Sequence, residues 1–173
     1  ITQNNLCGTI NIAANALLTV ADGAKVYNTG VINNSGIIAA EGSEGLYNAV
    51  CTSANHKTNG NLCHDSGVIF IKSADAITYV QNNAATINMY NRSNEVVVEN
   101  NSGKIVYEYI YPIDGGVFEV LSTDRFSYVV FGTNATTITL KDKSGSNSIN
   151  YNGISLEFKG STTFTTNSKT IDN

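Results

Sequence analysis

Five times in this chain a glycine opens the same short phrase. Gly30-Val31-Ile32-Asn33, Gly36-Ile37-Ile38-Ala39 and Gly67-Val68-Ile69-Phe70 are close copies, and Gly8-Thr9-Ile10-Asn11 and Gly103-Lys104-Ile105-Val106 are weaker ones. Gly accepts backbone conformations closed to other residues, and the β-branched residues after it favour a half-buried strand. Each phrase therefore reads as a turn with positive φ allowed, followed by a short buried strand. A unit this small cannot bury its apolar face alone. Self-similar units solve that by stacking, each coil covering the next. The recurrence predicts an all-β chain folded as a β-helix or solenoid. A β-sandwich whose Gly-rich hairpins look alike is the competing arrangement.

The composition supports strands and turns over helices. Charged residues are 14% of the 173, against roughly 25% in an ordinary soluble domain. Asn, Thr and Ser take their place, with about two dozen Asn. Asn tolerates the left-handed region at turns and can bond its equivalent in an adjacent coil. Ten Lys and Arg against 14 Asp and Glu, a net charge of −4, make a poor nucleic-acid binder. No apolar run approaches the roughly 20 residues of a bilayer span. The start at Ile1, without a basic and then apolar leader, is read as processing or excision from a longer chain.

The stretch Asn11 to Ala24 is the best helical candidate. It also reads as strands Thr9–Ile12 and Leu17–Val20 around a turn, and its β-like surroundings favour the strands. Further on, Ile105, Tyr107, Tyr109 and Tyr111 share one face, as do Ile154, Leu156 and Phe158, the period-2 pattern of strands with one wet side. Pro112 ends the first of these. The expected organisation is a solenoid over residues 1–112 with a loop inserted at 51–66. Residues 113–173 then form continuing coils or a C-terminal β cap or small sheet.

The inserted loop is the sharpest local feature. Residues 51–63, CTSANHKTNGNLC, are polar and lack strand patterning. A Cys51–Cys63 disulfide is expected to close the loop, worth about 3 kcal/mol by the chain-entropy estimate, with Cys7 unpaired within the chain. The low-charge, Asn-rich composition fits an extracellular, oxidising setting. The loop would present Asn55, His56, Lys57, Asn59, Asn61 and His64, with Tyr47 just before it as a stacking face. His56, His64, Cys51 and Asp65 match no zinc spacing, so no metal is expected. Cys63 and His64, adjacent on a strand, point to opposite faces and make no nucleophile–base pair. No close acid pair alternates onto one strand face; Glu95 and Glu99 flank VVV as solvated residues. The segment Asp142 to Asn147 lacks the acidic ligands of a calcium loop. No catalytic residue and no cofactor are expected.

The run Val26 to Ala39, VYNTGVINNSGIIA, with the later NSGK and DSGVIF, resembles the passenger β-helices of bacterial autotransporter adhesins over about residues 8–110. The resemblance implies a right-handed, elongated β-helix, export to the cell surface or secretion, a role in cell adhesion and virulence, and binding of a host or partner-cell protein or glycan through projecting loops. The cysteine-bounded insertion departs from the cysteine-poor pattern of such passengers. The expected function is a non-enzymatic adhesin or fibre fragment. The alternative is a polysaccharide-binding or polysaccharide-degrading β-helix of the tailspike type.

Overall fold

The structure, a computed structural model, describes residues 5–39, 45–51, 57–58, 61–62, 66–109, 116–119, 121, 123–132, 137–141, 155–159, 163–166 and 169–172. All regular elements among them are β-strands. The chain divides into two compact units, Ile1–Ile105 and Val106–Asn173.

The first unit opens with β1 (Asn5–Leu6) and winds through four coils. Coil one holds β2 (Thr9–Ile12), β3 (Leu17–Thr19) and β4 (Val26–Asn28). Coil two holds β5 (Val31–Asn34), β6 (Ile37–Ala39) and β7 (Leu46–Asn48). After β8 (Lys57–Thr58) and β9 (Asn61–Leu62), coil three holds β10 (Val68–Ile71) and β11 (Ile77–Asn83). Coil four holds β12 (Thr86–Asn88) and β13 (Glu95–Asn101), and β14 (Lys104–Tyr109) follows. Coil pairs with coil in parallel. On one flank the order is β2-β5-β10-β12. A second flank runs β3-β6-β11-β13, and a third β1-β4-β7 and the distal ends of β11 and β13. This is the β-solenoid that the glycine phrases predict. Asn11 to Ala24 forms the two strands rather than a helix, with Asn15 at φ 64° in the turn between them.

Like side chains stack on like inside the coils. Ile10, Ile32, Ile69 and Ile87 share one register, the last three fully buried and Ile10 half-buried. Leu18, Ile38, Thr78 and Val96 form a second column, and Val26 lies under Leu46 in a third. Each fully buried aliphatic side chain contributes about 1.5–3 kcal/mol of transfer energy. Repeating the same shape at each level lets the coils close without voids.

The corners between flanks are held by asparagines, with Asn28, Asn34, Asn48 and Asn83 all at 0% exposure. The Asn28 side-chain amide donates to Asn48 Oδ1 at 3.0 Å, that of Asn48 to Asn83 Oδ1 at 2.8 Å, and that of Asn83 to Asn101 Oδ1 at 2.8 Å. The second N–H of Asn48 reaches the Thr86 carbonyl, and that of Asn83 the Lys104 carbonyl. At its lower end, Asn28 Oδ1 accepts the backbone N–H of Gly30 at 3.1 Å. At another corner, Asn34 accepts from the Gly36 N–H and donates to Thr78 Oγ1 and the Ile77 carbonyl. Asn94, also buried, donates to the Ser73 and Ala74 carbonyls and accepts from the N–H groups of Tyr90 and Asn91. These amides satisfy backbone groups that the ladders leave over where the chain bends.

The glycines serve a purpose other than the expected positive φ. Among the described residues, only Gly23 and Asn15 have positive φ. A Cβ on Gly30 would fall on the Gly8 carbonyl, one on Gly67 on the Asn28 carbonyl, and one on Gly103 on the Ala85 carbonyl. The phrase needs Gly because one coil's backbone presses on the next. Gly8 stands at the bottom of this column, and a Cβ there would meet open space.

The second unit is also built of parallel ladders. Strand β14 pairs with β16 (Tyr128–Gly132) and β16 with β18 (Ser155–Lys159). A separate ladder joins β15 (Gly116–Glu119), β17 (Thr137–Lys141) and β19 (Thr163–Thr166), and β20 (Lys169–Asp172) closes it antiparallel. Phe126 is buried, stacks on Tyr107 at 5.3 Å and meets the buried Phe118 at 6.4 Å.

Two pairs of variants test this account. Asn48→Ala strands a buried donor on Asn28 and an acceptor on Asn83, and should cost about 2–5 kcal/mol. Asn33→Ala breaks only the exposed Asn33–Asn11 bond of 2.8 Å and should cost under about 1 kcal/mol. Gly67→Ala should destabilise by about 1–3 kcal/mol through overpacking, and Gly8→Ala should be nearly neutral. Urea denaturation followed by circular dichroism reads both comparisons.

Candidate functional site

The corner ladder measures where the coils are interrupted. Successive ladder asparagines lie 20, 35 and 18 residues apart. The long interval contains the insertion, between β7 and β10. Its base is closed by backbone: the Ala49 N–H donates to the Asn28 carbonyl at 2.9 Å, and the Gly67 N–H to the Ala49 carbonyl at 2.8 Å. The polypeptide leaves and re-enters the coil at one point, so the ladder continues past the break.

Inside the insertion β8 and β9 pair antiparallel, Lys57 opposite Leu62 and Thr58 opposite Asn61. The insertion therefore contains a hairpin where no strand was expected. The signal was present in the sequence as Asn59-Gly60, a dipeptide favoured in two-residue hairpin loops. Of the expected binding residues, Lys57 and Asn61 belong to these facing strands. Asn55, His56, Asn59 and His64, and also Cys63, lie outside the described residues.

Tyr47 lies on the outward side of β7 and is half-buried. It pairs in register with Tyr27 of β4, and the two rings sit 5.3 Å apart, tilted by 40°. The Lys25 ammonium lies 4.3 Å from the Tyr47 ring centre and 5.6 Å from that of Tyr27. Such contacts contribute about 0.5–1 kcal/mol at exposed sites. Hydrogen bonding to Tyr27 holds the lysine above its usual pKa against the opposing effect of desolvation, with the charge interaction of Tyr27 and then Tyr47 adding to the rise. Lys25 is therefore a cation throughout the physiological range. In the same register Asn82 follows Tyr47, and Asn100 follows Asn82. Lys25 and Tyr27 were not anticipated, although Val26-Tyr27-Asn28 and Leu46-Tyr47-Asn48 are the same phrase one coil apart. The buried outer two residues build the core and ladder, and the middle one faces out.

The expected cysteine pairing is corrected. Cys51 carries a half-buried thiol, so the Cys51–Cys63 bridge is not formed, and Cys7 is disulfide-bonded rather than unpaired. The backbone closure at Ala49 already does what that bridge was expected to do. Cys7 also accepts a weak contact from Thr29 Oγ1 at 3.6 Å, across the step to the next coil.

On another flank the Tyr79 hydroxyl donates to Glu99 at 2.9 Å. Desolvation and then the bond to Glu99 push the Tyr79 pKa up. Glu99 is thus engaged across strands while remaining exposed, as Glu95 is. Among the described residues no group of three or more His, Cys, Asp or Glu could hold a metal. No helix among them is long and apolar enough to cross a membrane. No family model matches the chain, and neither a curated protein nor a solved structure matches it.

The cysteine assignment predicts a specific peptide map. Alkylation without reduction should label Cys51 and leave Cys7 unlabelled until a reductant is added. A Cys51–Cys63 peptide would reverse the assignment.

Proposed function

We propose that this chain is a non-enzymatic binding segment of a cell-surface or secreted fibre, an adhesin whose contact with a host or partner cell is made by the insertion between β7 and β10 and by its flanks. The observation that supports this reading is the single long interval in the corner ladder, 35 residues against 20 and 18. Regular coils give the apolar residues to their own core and present much the same surface at each level. The break in that regularity and the coil faces beside it are where the surface is most distinctive, and insertions in repeat folds map to loops that often bind. The closed base supports the reading further: a loop rooted on a rigid scaffold loses less entropy on binding. The Asn-rich, weakly charged coils resemble autotransporter passengers, which fits export and a position at the bacterial surface.

The test is replacement of residues 52–62 by a short Gly-Ser linker. The variant should keep its β circular dichroism and its melting temperature within a few degrees, because the Ala49–Gly67 closure lies outside the replaced segment. Fluorescently labelled chain should lose adhesion to epithelial monolayers and to bacterial partner cells. Unchanged adhesion by the folded variant would place the contact elsewhere and sink this proposal.

A further inference from the structure

The outward column on the third flank has a chemistry that the solenoid itself does not need. Lys25 is exposed, and among the described residues its ammonium sits over two phenol rings with no carboxylate against it. A tyrosine pair supplies ring surface and hydroxyls that both donate and accept. The next two coils place Asn82 and Asn100 in the same register, and primary amides suit sugar hydroxyls. Successive coils are about 4.8 Å apart, close to the length of one pyranose ring. A sugar chain lying across the coils would meet Tyr27, Tyr47, Asn82 and Asn100 in turn, one side chain per ring.

We infer that Lys25, Tyr27 and Tyr47 form a subsite for an anionic sugar, with Asn82 and Asn100 contacting the neighbouring rings of the same oligosaccharide. The inference rests on reading the chain as a binding segment and names the class of ligand taken beside the insertion. The ammonium pairs with the carboxylate or sulfate oxygens of the sugar, and the phenol hydroxyls donate to the same group or to ring hydroxyls. The tyrosine rings pack against the apolar C–H face of the pyranose. An exposed ammonium beside phenols and primary amides offers a polyhydroxylated anion both a counter-charge and several hydrogen-bonding partners.

Isothermal titration of the whole chain with three probes tests the subsite: an oligogalacturonate, a sulfated dextran oligosaccharide and neutral maltohexaose. At least one anionic probe should bind, and the neutral one should bind at least about tenfold more weakly, the worth of one charge-assisted hydrogen bond. Whichever anionic probe binds more tightly identifies carboxylate or sulfate as the group held. Lys25→Gln should lose about tenfold in affinity for that probe, Lys25→Arg should retain most of it, and Tyr27→Leu with Tyr47→Leu should weaken it further. All these side chains face outward, so melting temperatures should stay within a few degrees and separate lost binding from lost fold. Equal binding of neutral and anionic probes, no binding of either anionic probe, or wild-type affinity in Lys25→Gln would overturn the inference. The linker variant separates this result from the adhesion proposal. If it loses cell adhesion but still binds the anionic oligosaccharide through Lys25, both hold; if Lys25→Gln changes nothing while the linker variant loses adhesion, only the subsite falls.

Discussion

A primary amide inside a protein has two donors and one acceptor oxygen to satisfy, and a stack of primary amides satisfies most of them internally. Asn28, Asn48 and Asn83 each pass one N–H to the oxygen of the asparagine one coil on, and Asn48 and Asn83 give the other to a backbone carbonyl. The arrangement works only if each level presents an asparagine at the same angle and height. The corner therefore fixes the coil spacing, the direction of the strands leaving it and the register of the columns beside it. Buried amides left half-satisfied would be costly, so the stack holds as a unit.

That corner also explains the glycines. An amide bonding back to an N–H two residues on, as Asn28 does to Gly30, folds the chain tightly at the point where the coil below is closest. Any side chain there would collide with a carbonyl. The column shows one exception in Ala85, which lies opposite Gly67 and under Gly103 and proves that the stack can adjust to a methyl group at one level. The recurring Gly-Val-Ile phrase is thus one half of a device whose other half is the Asn before it.

The strands, their parallel stacking and the split of Asn11 to Ala24 into two short strands were legible because they follow from local patterns: β-branched triplets bounded by turn residues. The role of the glycines was misread because φ is a local property and the governing contact is with a residue some 20 positions away in sequence. The cysteine pairing failed for a related reason. Ring-closure arithmetic weighs separation along the chain, but in stacked coils the neighbours that matter lie one level apart, as Thr29 lies beside Cys7. The Lys25–Tyr27–Tyr47 cluster was half visible. Tyr47 stood out for its nearness to the insertion, whereas its partner needed the two three-residue phrases to be aligned as coils.

The closed base at Ala49 and Gly67 has a consequence for how such a surface changes over generations. Because backbone hydrogen bonds at Ala49 and Gly67 tie the exit and entry of the insertion together, the coil closes there without help from the length of the segment between them. The entropy of closing a longer segment rises only with the logarithm of its length, and the ladder amides Asn28, Asn48, Asn83 and Asn101 lie outside it. Residues there are free to drift, expand or be exchanged under selection by whatever they touch. The coils on either side stay bound by their columns, where a change at one level must suit the levels above and below. The chain thus keeps an inherited frame and a replaceable cassette in one piece of polypeptide, and the hydrogen bond from Gly67 to Ala49 marks the boundary between them.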